Sequence, residues 1–333
     1  MGDGFVAQSV LSIYNAAMSA CPWCHSKSST LLLSRRDRLG AGTFHYVRCD
    51  RCGLVRLDPL PSWAELQGHY PAGYEAFQER HEGWLFRLGR QRLWARRVGA
   101  LRRHLQTDPG HVLDVGCATG EFLSTMQQRG WSVAGIEPSP SAAARAREQL
   151  GAESVQAVPF EDAALPAAGY DLITLWDVLE HLADPAAALC RLAGALRPAG
   201  LLAVGVPSPD AWDARLFGPA WIGYDAPRHL YLFPDAVLRD MLAAAGLAVV
   251  ATRCFYGDYG AFILSLDTAL RERYQERPAG RILRRLAALR PWRYLLWPYF
   301  RLAEWANRGP IRTYFCVAEA TERAENAEKK EAS

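Results

Sequence analysis

The sequence predicts an α/β fold: a doubly wound, mostly parallel sheet with helices on both faces, a small cysteine-rich segment ahead of it and a helical insertion near the C-terminus. Three observations carry this. From His111 onward short apolar runs (HVLDVG, WSVAGIE, AESVQAV, YDLITLWD, GLLAVGVP) alternate with helical periodicity, the pattern of parallel strands joined by crossover helices. The first run enters a glycine-containing loop, VGCATGEF, that opens a helix, the junction at which such sheets bind nucleotides. Two Cys-x-x-Cys pairs, CPWC and CDRC, stand ahead of all this.

With 333 residues the chain has room for one full-sized domain and a smaller one, and its core needs no crosslinks. A formal charge of +3 and a pI near 8.4 are too mild to mark a nucleic-acid binder. No apolar run reaches the ~18 residues of a spanning helix. The opening residues lack the basic start of a secretory signal, and the MSAC stretch, similar to a lipoprotein cleavage site, has no charged leader. The expected location is therefore a reducing cytoplasm, where cysteine pairs speak for metal or redox chemistry over disulfides.

Taken in order, residues 1–18 read as a flexible start and 19–60 as the cysteine segment. Cys21, Cys24, Cys49 and Cys52, with Gly53 directly after the second pair, have the spacing of four thiolates around a structural, tetrahedral zinc. A thioredoxin-like role would set one pair at a strand-to-helix junction, and neither pair is followed by helical periodicity. His25 reads as a surface residue beside a complete cysteine set. The segment is too small for a core of its own, so metal binding is expected to supply much of its folding free energy. Cys117, Cys190, Cys254 and Cys316 fall in apolar contexts and read as buried small hydrophobes.

Residues 61–105 form a proline- and aromatic-rich connector and then a basic amphipathic helix, WLFRLGRQRLWARRVGALRRHL. Its first reading is a solvated face covering the edge of the next domain; contact with nucleic acid or a membrane is the second. The alternating core spans 106–256. Its loop spaces Gly116 and Gly120 as Gly-x-x-x-Gly, with Asp114 two residues ahead. A carboxylate there is unhelpful to a pyrophosphate and suits a cofactor with a positively charged amino group. Glu137 ends the second strand, where a carboxylate accepts ribose hydroxyls, and Glu161 and Asp162 follow the third, within reach of an adenine amino group.

This set resembles the class I S-adenosylmethionine-dependent methyltransferases, whose Rossmann-like seven-stranded sheet ends in an antiparallel hairpin that IRTYFCVAEA, in 311–322, would close. The resemblance covers about 105–320. It implies S-adenosyl-L-methionine as cofactor, with the Gly116–Cys117–Gly120 loop against its methionine part, Glu137 on the ribose, Asp162 near the adenine, and Trp176 and Asp177 lining the pocket. Members of the family often have glycine where Ala118 stands.

In LWDVLEHLADP, Asp177, Glu180 and His181 are at i, i+3 and i+4, so one helical turn would bring them onto one face. His181 is a candidate general base, its pKa raised by the carboxylates. Alternatively the three hold magnesium on an acceptor oxygen, as the similar segment of ubiquinone-pathway O-methyltransferases suggests. A structural role, with Asp184 and Pro185 opening the next helix, is the third reading. In WIGYDAPRHLYLF, after the fifth strand, Trp221, Tyr224 and Tyr231 are expected as an aromatic wall, Arg228 as the partner of an acidic substituent and His229 as a second base.

The paired cysteines, a YP connector, DVLEH and PRHLYLF together resemble zinc-binding methyltransferases of bacterial glycan and natural-product clusters, a diverse family whose name supplies no substrate; the expected reaction is O-methylation of a small-molecule or saccharide hydroxyl. An RNA methyltransferase gripping phosphate with the zinc segment and the arginine-rich helices, or a non-catalytic cofactor-binding scaffold whose zinc module recruits a partner, are the rivals. The Arg- and Trp-rich insertion, 257–310, reads first as a lid, packing element or dimer contact, because Pro291 and Pro298 interrupt its apolar stripe. Its second reading is peripheral contact through 281–308 with the inner membrane face. The oligomeric state is not specified, and 323–333 reads as a disordered tail.

Overall fold

A computed structural model of the chain describes residues 19–62, 65–66, 68–69, 84–107, 109–255, 259–274, 277–287, 289 and 292–318. The expected flexible start, the polar tail and most of the connector lie outside the described residues. Strands β1 (Ser29–Arg36), β2 (Thr43–Cys49) and β3 (Val55–Leu57) form an antiparallel meander around the cysteines. The basic helix α1 (Trp84–Leu101) follows and buries Arg97, Val98, Ala100 and Leu101 against the core.

The alternating region folds as β4 (His111–Val115), α2 (Glu121–Gln127), β5 (Ser132–Ile136), α3 (Pro140–Leu150), β6 (Val155–Gln156), β7 (Tyr170–Trp176), α4 (Pro185–Ala195) and β8 (Leu196–Pro207). Local chemistry places the helix starts. Ser139 and Asp184 accept the N–H groups of Ala142 and Ala187, with Pro140 and Pro185 pre-setting the first turns. Cys190, expected buried, is exposed on α4, on the helix face opposite the inward row of Ala188, Leu189 and Leu192. After α5 (Trp212–Phe217) come β9 (Tyr231–Leu232), α6 (Asp235–Ala244) and β10 (Leu247–Cys254). The insertion supplies α7 (Tyr259–Tyr274), α8 (Pro278–Ala287), α9 (Trp292–Leu295) and α10 (Trp297–Trp305), and β11 (Ile311–Ala318) closes the fold.

Seven strands order as β10-β11-β8-β7-β4-β5-β6. The five from β8 to β6 pair in parallel, and β11 inserts antiparallel between β8 and β10. Chain order reverses between β4 and β7, so the crevice lies at the carboxyl ends of β4, β5 and β7. No helix among the described residues is long and apolar enough to cross a membrane.

The cysteine segment is not a separate body. Its sheet continues into β9, pairing Val55 with Leu232 and Arg56 with Tyr231. Cys21, Tyr46, Cys49 and Leu57 belong to one continuous apolar core with Leu113, Ile173 and Leu202 of the large sheet. The small segment thus borrows its core from the larger one.

Candidate active site

The crevice begins where β4 ends. Gly116 and Gly120 have φ of +69° and +84°, and a Cβ on Gly116 would stand 2.5 Å from a Val178 methyl, so the loop packs against the turn after β7. The Gly116 and Cys117 N–H groups donate to the Ile136 carbonyl at 2.8 and 3.1 Å. Ala118 occupies the left-handed region, φ +47°, which accounts for glycine being the easier residue there. Its N–H donates to Glu137 Oε2 and that of Ser139 to Oε1, both at 2.9 Å, fixing the carboxylate at the end of β5. The Cys117 side chain lies beneath the loop, against Gly135; burial, then the charges of Asp114 and Glu137, push its thiol well up.

Asp114 is buried and accepts from Thr174 Oγ1 at 2.6 Å. Burial raises its pKa to about 7, with Glu137 adding to the rise and Thr174 and Arg97 opposing it. Trp176 ends β7 with the Arg97 guanidinium 4.3 Å from its ring centroid and 4.9 Å from that of Trp94. Glu161 and Asp162 sit on a single 3₁₀ turn after β6, exposed at the rim. The carboxyl ends of β4 and β5 thus carry two buried acids, Asp114 and Glu137, and the turn after β6 two exposed ones.

The turn after β7 differs from the expected helical turn. Asp177 takes φ +58° and Leu179–His181 is a 3₁₀ turn, so the three residues do not share a face. Glu180 is 0% exposed with neither carboxylate oxygen hydrogen-bonded; burial, then the charge of Asp177, push its pKa well up. Burial also raises Asp177, which Arg97 and His229 oppose. His181 turns instead to His229. Their rings lie 4.9 Å apart at 70°, and Glu180, His181 and His229 each present one ligand atom within 4.8 Å of the others. His181 Nδ1 is 2.8 Å from the Arg228 carbonyl and His229 Nδ1 is 2.8 Å from that of Gly223. A carbonyl only accepts, so each Nδ1 carries the proton and each Nε2 keeps its lone pair. The expected rise in the His181 pKa is overturned: burial, reinforced by His229, lowers it to about 3.

The roof segment 221–233 also departs from expectation. Arg228 is 0% exposed and donates to Asp225 at 2.7 and 2.8 Å, to Asp37 at 3.0 Å and to the His69 carbonyl at 3.1 Å. It is a clasp between the roof and the cysteine segment, with no donor directed to a substrate. Tyr231 is buried in β9 with its hydroxyl on the Ala183 carbonyl at 2.9 Å, and Trp221 is buried edge-on to Tyr224. Tyr224, half-buried, packs in turn on Tyr46. Of the expected aromatic wall only Tyr224 retains exposure. Asp37, Tyr46 and Thr174 escaped sequence reasoning: a hairpin aspartate, an alternating tyrosine and a strand threonine carry no signal until the fold brings them here.

Away from the crevice the Cys21, Cys24, Cys49 and Cys52 sulfurs gather, with Cys21 and Cys52 3.6 Å apart and Cys24 and Cys49 3.4 Å apart. Tetrahedral zinc, with Zn–S near 2.3 Å, would hold its sulfurs roughly 3.8 Å apart. Burial works to raise the Cys49 thiol, but the N–H groups of Cys52 and Arg51 outweigh it and bring it to about 7, a setting that suits a bound thiolate. His25 is exposed and outside the group.

Residues 86–252 match the model of the methyltransferase domain family. Among curated proteins, ubiquinone biosynthesis O-methyltransferase of Aeromonas salmonicida is 32% identical over 149 residues, 41% of this chain and 63% of that protein. The enzyme of that name from Xanthomonas axonopodis is 29% identical over 155 residues, 44% of this chain and 65% of its own. The chain therefore spans just under two thirds of the length of these relatives. Among solved structures, Burkholderia thailandensis 1,6-didemethyltoxoflavin-N1-methyltransferase, determined with S-adenosylhomocysteine, aligns at a TM-score of 0.48 and 15% identity, over 83% of this chain and 96% of its own. A Thermotoga maritima S-adenosylmethionine-dependent methyltransferase aligns at 0.46 and 15%, over 74% and 98%.

The clasp is directly testable. Arg228→Ala takes the main partner from both Asp37 and Asp225, leaving the first to His69 and the Leu39 N–H and the second to Arg38, and urea unfolding should show a loss of about 3 kcal/mol. An Arg228 that served a substrate would instead leave the unfolding midpoint in place and raise KM.

Proposed function

Because the chain belongs to the methyltransferase domain family and is a class I S-adenosylmethionine-dependent enzyme, we propose that it methylates a hydroxyl of a small-molecule or saccharide acceptor bound beneath the roof segment. The carrying observation is that His181, on the turn that packs against the Gly116 loop, meets His229 of the roof with both Nδ1 atoms engaged by carbonyls. The O-methyltransferase names of the relatives support oxygen as the acceptor atom.

S-adenosylmethionine, when bound, supplies an electrophilic methyl on a sulfonium. The residues fit it: Glu137 is held at the strand end for the ribose, and Asp114 stands ready to ionise beside a cationic amino acid. The Gly116–Gly120 loop takes the methionine part and Trp176 shapes the wall, with Asp162 at the adenine rim. The chain's own work is to orient the acceptor oxygen in line with methyl and sulfur, to exclude water and to take one proton. With the cofactor bound, the acceptor O–H proton would pass to His229 Nε2 as the methyl moves from sulfur to oxygen, while His181, which burial makes a weak base, would position that ring. Burial raises the Glu180 pKa beside the imidazoles, which disfavours a competing negative charge there.

Magnesium does not fit. The cluster offers one oxygen and two nitrogens, whereas that ion takes oxygen ligands, and Asp177 stands outside the group. The four cysteines fit structural zinc, which would hold the hairpin ends that reach the roof. An RNA substrate is disfavoured, because Arg90 and Arg96 pair with Glu121 and Glu304 and Arg97 is stacked on tryptophans.

Three outcomes follow from this arrangement. His229→Gln should lower transfer of labelled methyl into the small-molecule fraction of cell extract by about 10²–10⁴-fold and His181→Gln, which loses only the ring beside it, by less, cofactor affinity being retained in both; a wild-type rate in His229→Gln would remove the base. Asp114 has a folded pKa above its unfolded one, so the stability its proton contributes is present in acid and lost as pH rises through about 7. A cationic ligand favours the ionised form, so calorimetry should show proton release on cofactor binding and an affinity rising by up to about tenfold per pH unit between about pH 5 and 7; Asp114→Asn should bind weakly and flatly. Finally, metal analysis should find one zinc per chain, and its chelation should lower the melting temperature by about 5 °C or more, while added magnesium leaves turnover unchanged.

A further inference from the structure

Independently of the methyl-transfer site, we propose that the outer face of α8, α9 and α10 docks on an anionic lipid bilayer. On α8, Ile282 and Leu286 are one turn apart and exposed, and Leu289 continues the row. At the corner of α9 and α10, Tyr294 is 75% exposed, with Leu295 and Trp297 exposed beside it, and Trp305 at the end of α10 is 83% exposed. The Trp292 indole donates to the Leu286 carbonyl at 2.8 Å, which joins the corner to the α8 row. Contiguous exposed aliphatic and aromatic side chains on a folded surface mark a contact site, and tryptophan and tyrosine among leucines are the composition of the membrane interface.

Charge selects the occupant. Between Arg277 and Arg308 the sole acidic residue is Glu304, and it is paired with Arg96 and Arg301. Arg281 and Arg285, one turn apart and exposed, flank the α8 row, whereas Arg284 turns inward to Asp267 at 2.6 Å. A second copy of the chain meeting this face about a two-fold axis would set arginine against arginine. Phosphate backbone of a nucleic acid would satisfy the arginines and leave the leucine row in water. Anionic headgroups over acyl chains satisfy both, arginines at the phosphates and the apolar row beneath them. Pro298 lies in the first turn of α10, where it leaves the helix intact.

Full-length, zinc-replete protein sedimented with vesicles tests this. Vesicles containing about a third phosphatidylglycerol in phosphatidylcholine should bind at least tenfold more protein than phosphatidylcholine alone, with a blue shift of tryptophan emission. Leu286→Glu with Leu295→Glu should remove that binding at least tenfold while melting temperature and cofactor affinity hold. Arg281→Glu with Arg285→Glu, on exposed positions that folding does not use, should do the same. Equal partition to the two vesicle types, or none, overturns the proposal. So does a dimer in solution that the leucine variant splits to monomers. None of these readouts involves methyl transfer, so a failure here leaves the proposed reaction untouched.

Discussion

Leu230 joins the two halves of the molecule through its own peptide group. Its carbonyl accepts from the N–H of Leu57 in the cysteine segment, and its N–H donates to the carbonyl of Glu180 in the turn after β7, both at 2.9 Å. A buried peptide group left without partners is costly, so the roof cannot leave the turn without also leaving the small sheet. On either side of Leu230 the same stretch carries Arg228, locked by Asp225 and Asp37, and Tyr231, bound to Ala183. His229 lies between these anchors, facing His181.

The cysteine segment therefore bears on the site mechanically. Tyr46 donates to the His229 carbonyl at 2.8 Å, and the Arg228 carbonyl that fixes the His181 tautomer belongs to the residue clasped by Asp37. A metal at the cysteines would stiffen the sheet that holds these partners, without entering the chemistry. The same support lets the crevice retain a strained charge state. Asp114 and Glu180 are buried and Asp177 half-buried, and all three have raised pKa values, tolerable only in a scaffold fixed by other contacts.

Much of this was legible in the residues. The alternation of runs and helices, the loop from Gly116 to Gly120 with Glu137 one strand on, and the cysteine spacing all rest on local patterns whose physics does not depend on distant partners. Arg228 and Tyr231 were not legible: an arginine and a tyrosine in a loop read as site residues, yet burial and full hydrogen bonding make them structural. The His181 pKa reversed for a related reason. Neighbouring carboxylates are visible in sequence, but the desolvation that outweighs them is a property of the packed interior.

The sequence by itself determined the sheet, the crevice and its acids, and the gathering of cysteines, because period, turn chemistry and ligand spacing act over a few residues. Only the tertiary structure decided that the small sheet would annex β9, that His229 would meet His181 across 48 positions of chain, and that the roof's arginine would be spent on two aspartates. Those are contacts between segments distant along the chain, and their free energies depend on burial and geometry that no local pattern encodes.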